Sequence, residues 1–167
     1  MSTEIINRVA SSKLVNLDLE DLYQEGPRFL FDIKDWLYEE FVLKEKEFRE
    51  QAKTHDWSTF RGAFVALTCS SDAIIPGWAY MLLTTYLTPY TKKVVVGDLT
   101  TLETLLYSES IRNLDVSQYK NQRIIVKGCS RKPVPQNAFI ELVEKLQPIA
   151  KSIMYGEACS SVPLYKQ

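Results

Sequence analysis

The chain has 167 residues, of which 46% are hydrophobic and 25% are charged, and these proportions predict one globular domain that closes its own core. Its 20 basic and 21 acidic side chains nearly cancel, so bulk charge indicates neither a nucleic-acid-binding nor a membrane-surface protein. The chain begins without a basic segment followed by an apolar core, and no stretch approaches the roughly 20 apolar residues of a membrane span. We therefore expect a cytoplasmic protein.

The first sixty residues contain two strand-like segments. Residues 15–19 and 29–33 alternate apolar and polar side chains in whole or in part, and residues 25–27 carry turn chemistry between them. They predict a two-stranded antiparallel unit that extends one edge of the main sheet. A charged segment from Leu43 to Lys53 has few apolar anchors and predicts a solvated helix.

Residues 61–167 alternate strand and helix signals. Short apolar runs predict four buried strands, at residues 63–67, 94–96, 124–126 and 153–155. Helical patterns separate the runs, and the first of them, from about Pro76 to Tyr86, is apolar nearly all round. Connections of this length require parallel strands. The sequence thus predicts a single α/β domain over residues 1–167, with a mostly parallel four-stranded core sheet flanked by helices, and with residues 1–60 as an N-terminal extension.

Three Cys-Ser dipeptides follow three of the predicted strands. Cys69, Cys129 and Cys159 stand at spacings of 60 (129 − 69) and 30 (159 − 129) residues, and about thirty residues is the length of a βα unit. Asp98 follows the remaining strand, at nearly the place where a cysteine would be due. Because the carboxyl ends of parallel strands share one edge of a sheet, we expect these side chains at that edge.

Three thiols at one edge form a soft ligand set that suits zinc or an iron–sulfur cluster. An odd number of cysteines cannot all pair within one chain, and a reducing compartment leaves thiols free for metals. Asp98 is the best-placed fourth ligand, and Asp72 and His55 are the other candidates. Both acids also fit helix-capping roles, the lone histidine fits an exposed loop, and each cysteine fits a small buried hydrophobe at a strand end.

Two other functions stay open from the residues alone. Arg131 and Lys132 follow Cys129 and would favour a reactive thiolate, which allows a thiol-dependent enzyme. The chain has no Cys-x5-Arg phosphatase loop, no Gly-x-Gly-x-x-Gly and no Walker loop, so neither phosphatase chemistry nor nucleotide binding has a motif behind it. The other alternative is a cofactor-free interaction module with structural, buried cysteines.

Four sequence blocks carry a family resemblance, at residues 31–37, 67–76, 127–135 and 159–166. With these blocks the chain resembles an uncharacterised bacterial domain-of-unknown-function family, found mainly in Bacteroidetes, with three Cys-Ser motifs. The resemblance spans almost the whole chain and implies no established activity. Members of that family look as if they are often encoded beside the sulfur-mobilisation machinery for iron–sulfur cluster assembly. The resemblance thus implies a protein partner from that machinery. The near-neutral charge already indicated no nucleic-acid or membrane partner.

The leading hypothesis is a small cytoplasmic protein that binds a metal ion or an iron–sulfur cluster as an accessory in cluster assembly. Its expected ligands are Cys69, Cys129, Cys159 and Asp98.

Overall fold

The computed structural model of this chain describes residues 14–127 and 131–167, and in it the chain divides into two units. The split unit comprises Met1–Gln24 and Leu106–Gln167, and the inserted unit comprises Glu25–Leu105, which lies between those segments in the sequence. The predicted α/β class is confirmed. That the whole chain is one domain stays a prediction. Among the described residues, no helix is both long enough and apolar enough to cross a membrane.

The inserted unit is built on a three-stranded parallel sheet with its strands in the order β2-β3-β4. These strands are β2 (Arg28–Asp32), β3 (Phe64–Thr68) and β4 (Lys93–Val96). Helix α1 (Glu45–Thr54) lies between β2 and β3 in the chain, α2 (Gly77–Leu87) lies between β3 and β4, and α3 (Leu99–Asn113) follows β4. The first four residues of β3 are buried, as expected of a strand that is covered on both faces.

The split unit is built on a four-stranded mixed sheet with its strands in the order β1-β5-β6-β7. The strands are β1 (Leu14–Asp18), β5 (Arg123–Lys127), β6 (Ser152–Glu157) and β7 (Ser160–Lys166). The first three are parallel, and β7 runs antiparallel to β6. Helix α4 (Gln136–Leu146) lies between β5 and β6 in the chain.

Each unit has its own hydrophobic core. The core of the inserted unit is rich in aromatic rings, and Phe31 contacts both Trp36 and Trp57. Helix α1 contributes only Phe48 and Ala52 to it, which confirms the predicted solvated helix. The core of the split unit is mainly aliphatic and is formed by residues such as Leu17, Leu19, Ile124, Val126, Leu142, Leu146 and Ile153.

The predicted single core sheet is wrong, because the four predicted strands divide between two sheets. The first two runs form β3 and β4 of the inserted unit, and the last two form β5 and β6 of the split unit. The mostly parallel pairing is confirmed.

The predicted antiparallel N-terminal unit is also wrong. Strand β1 pairs parallel to β5, and β2 pairs parallel to β3. A two-stranded hairpin buries little apolar surface and is at best marginally stable alone. Beside β5 and β3, the two strands instead bury Leu17 and Phe31 in separate cores.

The two units repeat one β-α-β arrangement at a constant offset in the chain. Strands β3 and β4 with α2 correspond to β5 and β6 with α4, and Gly97 and Gly156 stand 59 positions apart (156 − 97) near the ends of the corresponding strands. Both glycines have positive φ angles, +139° and +114°, a region that L side chains rarely adopt. The backbone at the end of β4 and of β6 therefore requires glycine.

The helices and turns of the repeat agree as well. Within each helix the buried residues are four positions apart, which places them on one face. They are Ala79, Leu83 and Leu87 in α2, and Ala138, Leu142 and Leu146 in α4, each 59 positions after its counterpart. The carboxylate of Asp56 accepts a hydrogen bond from the amide of Ser58, as that of Asp115 does from the amide of Ser117. The offset therefore extends to the turns that precede β3 and β5.

Candidate functional site

The carboxyl edge of the inserted-unit sheet brings Asp32 to the loop that contains Cys69. Asp32 ends β2, and its Oδ1 accepts hydrogen bonds from the amides of Lys34 at 3.0 Å and Ser70 at 3.1 Å. Burial raises the pKa of Asp32. Hydrogen bonds from the Ser70 side chain and from the Lys34 and Ser70 amides lower it by more than burial raises it, so the pKa of Asp32 is below its ordinary value. Asp32 thus stays ionised at neutral pH and fixes the start of the Cys-Ser loop to the neighbouring strand.

Cys69 directly follows β3 and is half-buried. Its Sγ lies 3.3 Å from the Oγ of Ser71, and the side chain packs against the core of the inserted unit. Burial raises the pKa of Tyr80, and the nearby Cys69 thiol adds to the rise. A packing role, which the sequence left open, is therefore part of what Cys69 does.

Asp98 caps α3. Its Oδ1 accepts hydrogen bonds from the amide of Thr101 at 2.7 Å and from the Thr101 hydroxyl at 2.8 Å. These hydrogen bonds, the backbone one first, hold the pKa of Asp98 below its ordinary value. The capping role that the sequence allowed is thus realised, and its role as a metal ligand stays a prediction.

His55, the other polar candidate, lies within aromatic rings rather than in an exposed loop. Its ring is 4.5 Å from the Trp57 ring, 5.4 Å from Trp36 and 5.8 Å from Phe31, between centroids. Its Nε2 is buried and has no hydrogen-bond partner among the described residues. The histidine therefore belongs to the aromatic core of the inserted unit.

Cys159 lies at the carboxyl end of β6 in the split unit. With Ala158 it forms the two-residue turn between β6 and β7, where its side chain is exposed. At the end of β6, Glu157 pairs with Lys127 at the end of β5, with 3.1 Å between Oε2 and Nζ. The predicted strand at residues 153–155 lies within β6, and a hairpin to β7 follows it, which was not predicted from the sequence.

The predicted ligands belong to two different sheets. Cys69 and Asp98 follow strands of the three-stranded sheet, and Cys159 follows a strand of the four-stranded sheet. Cys129 lies outside the described residues. Within residues 14–127 and 131–167, no group of three or more His, Cys, Asp or Glu side chains could hold a metal ion.

Sequence reasoning missed Asp32 and its counterpart Asp18. Asp18 ends β1 and accepts a hydrogen bond from the amide of Glu20 at 2.9 Å, in the same way as Asp32 does from Lys34. A short internal repeat, Leu-Asp-Leu-Glu-Asp-Leu at residues 17–22 and Phe-Asp-Ile-Lys-Asp-Trp at residues 31–36, marks both turns. This repeat was the signal that could have found them.

Apolar side chains are exposed beside the Cys69 loop. A groove is lined by Phe41 and Val42 from the turn before α1 and by Ile74 from the loop before α2. Ile74 is 93% exposed and Phe41 is 59% exposed, which is unusual for large apolar residues. The turn that presents Phe41 contains Glu39 and Glu40, both at positive φ.

One comparison with known proteins yields a match. A family model described as protein of unknown function (DUF2480) matches residues 3–167. No curated protein and no solved structure matches the chain. Any function must therefore be argued from the residues of the chain itself.

Proposed function

This chain belongs to the DUF2480 family of proteins of unknown function, and we propose that it binds a metal ion or an iron–sulfur cluster through cysteines at the carboxyl edge of the split-unit sheet. Cys129 and Cys159 are the principal ligands of this proposal. Bound zinc or a bound cluster would either link the ends of β5 and β6 or be a cargo that the protein passes to a partner.

The observation that carries the proposal is the pairing of β5 with β6. The two strands are parallel neighbours, and Val126 pairs with Tyr155 near their carboxyl ends. Cys129 stands two residues after Lys127, the last residue of β5, and Cys159 stands two residues after Glu157, the last residue of β6. Neighbouring strands lie about 4.8 Å apart, and two thiolates on one zinc lie within roughly 4 Å of each other. The strand spacing therefore suits a shared ion.

Zinc takes four ligands and an iron–sulfur cluster is held by four protein ligands, so two thiolates supply half of the set for either. Exposure of Cys159 leaves this ligand open to a second molecule. A half-filled ligand set suits an accessory that receives or passes on a metal or cluster, and iron–sulfur assembly machinery is the partner we propose. A reducing cytoplasm, which keeps these thiols free, is the matching location.

Purification without oxygen, followed by metal analysis and a visible absorption spectrum, tests the proposal. We expect Cys129→Ser and Cys159→Ser to lose bound zinc or iron, because serine keeps the size but weakens soft-metal ligation. Cys69→Ser is the matched control and should keep the metal. All three variants should keep the circular dichroism spectrum of the parent, since each unit has its own core.

A parent protein without metal under these conditions would contradict the proposal, as would metal that survives both substitutions. A cofactor-free interaction module would then replace it. The observation that favours this second candidate is the groove of the inserted unit, where Phe41 and Ile74 are exposed beside the Cys69 loop.

A further inference from the structure

A cavity of about 410 Å³ lies on the split-unit sheet, and the described residues that line it include no cysteine. All four strands contribute to it. Leu14 of β1 pairs with Arg123 of β5, and Met154 of β6 pairs with Pro163 of β7. The cavity is within the size range of small-molecule sites.

The cavity combines apolar and cationic groups. Its apolar lining includes Leu14, Met154 and Pro163, and its cations are Arg123, Lys151 and Lys166. No Asp or Glu of the described segments lines it. The apolar residues favour binding of an apolar ligand group, and the cations favour binding of a negatively charged one.

The three cations are exposed and have no acidic partner in the part of the chain that the structure describes. Arg123, Lys151 and Lys166 form no ion pair there. Lys127, on the same sheet, does have such a partner in Glu157. The chain as a whole has a formal net charge of −1, so these three cations around one cavity are a local excess of positive charge.

We propose that this cavity binds a small organic anion with an apolar body, such as an aryl or acyl carboxylate or sulfonate. The apolar body contacts Leu14, Met154 and Pro163, and the anionic group lies among the three cations. Neither inorganic phosphate, which has no apolar body, nor an uncharged aromatic compound satisfies both halves of the site. The proposal is independent of the proposed metal function, because it uses none of the ligand cysteines.

Fluorescence titration with anilinonaphthalene sulfonate tests this inference, because the dye joins an aromatic body to a sulfonate. We expect one dye per chain, with affinity that falls as salt is raised from about 0.05 M to about 0.5 M. Its uncharged parent, phenylnaphthylamine, should bind at least about tenfold more weakly. Equal binding of the two dyes would overturn the proposal, and so would a parent protein that binds neither.

A triple variant, Arg123→Gln with Lys151→Gln and Lys166→Gln, should weaken binding of the sulfonate dye at least about tenfold. The residues are exposed, so the fold should survive, and cooperative thermal unfolding checks this. The matched control removes three exposed cations of the same unit that do not line the cavity: Arg112→Gln, Lys120→Gln and Arg131→Gln. Equal loss of binding in both triple variants would show a general charge effect and would overturn the site.

Discussion

The inserted and split units share a β-α-β arrangement but differ in the element that comes next in the chain. In the inserted unit, Gly97 and Asp98 lead into α3, because Asp98 caps the helix through Thr101. In the split unit, the corresponding Gly156 and Glu157 lead into a two-residue turn and the antiparallel strand β7. The comparison teaches that a shared β-α-β arrangement and a shared glycine do not fix the element that follows, and that the hairpin of the split unit carries the exposed Cys159.

The units also differ in how they hold their first strand. In the inserted unit, Arg28 begins β2 and its side chain forms a nearly buried ion pair with Glu103, at 2.6 Å between Nε and Oε1. In the split unit, the matching position at the start of β1 is Leu14. Among the described residues, this ion pair at the start of the first strand is therefore specific to the inserted unit. Three sets of substitutions sharpen or break the comparison.

The largest effect is expected for Glu103→Ala. This change removes the carboxylate that pairs with the nearly buried Arg28 guanidinium, and loss of one partner of a buried ion pair typically destabilises a protein by about 3–5 kcal/mol. Urea unfolding measures the loss. Glu45→Ala is the control, since it breaks the exposed pair with Arg49 and should cost less than about 1 kcal/mol.

Replacing both partners, with Arg28→Met and Glu103→Leu together, should recover most of that loss, because no unpaired charge is left. If Glu103→Ala costs no more than Glu45→Ala, the buried pair does not anchor β2, and this difference between the units disappears.

The next effect tests the similarity of the units. Leu83→Ala in α2 and Leu142→Ala in α4 empty corresponding, fully buried positions, and each should reduce the free energy of unfolding by about 2–5 kcal/mol. We expect the two losses to agree within about 1 kcal/mol, since both helices bury the same face. Losses that differ more widely would mean that the repeat is one of backbone topology and not of packing.

The smallest effect concerns the aspartates that end β1 and β2. Asp32→Asn should destabilise more than Asp18→Asn, because Asp32 accepts hydrogen bonds from both the next turn and the Ser70 amide, while Asp18 accepts one within the described residues, from the Glu20 amide. The loss for Asp32 should be about 0.5–2 kcal/mol at neutral pH, as for other capping side chains.

The pH dependence of this loss has a definite sign. Because the pKa of Asp32 is lower in the folded protein, its ionised form stabilises the fold above the unfolded pKa of about 3.9. This contribution is lost as the pH falls through the folded pKa. Parent and Asp32→Asn should therefore converge in urea midpoint below about pH 4. A difference that persists in acid would assign the effect to packing instead of charge.

Local patterns predicted several elements well. The apolar run at residues 124–126 became the buried centre of β5, and the segment from about Pro76 to Tyr86 became α2, Gly77–Leu87.

The even spacing of the cysteines was less informative. Cys159 follows the corresponding acid Glu157 by two residues and lies in a hairpin turn that has no counterpart in the inserted unit. The repeat is therefore one of 59 residues, and not of thirty.

The sequence by itself determined the parts of this protein that depend on neighbouring residues. Apolar runs specify buried strands, four-residue spacing specifies the buried faces of α2 and α4, and Asp-x-Ser turns specify the approach to β3 and β5. Tertiary structure alone decided that β1 joins β5, that β2 joins β3, and that four similar strands form two sheets. Strand pairing joins residues far apart in the chain, and it is selected by how much apolar surface each partner buries, which no local pattern contains.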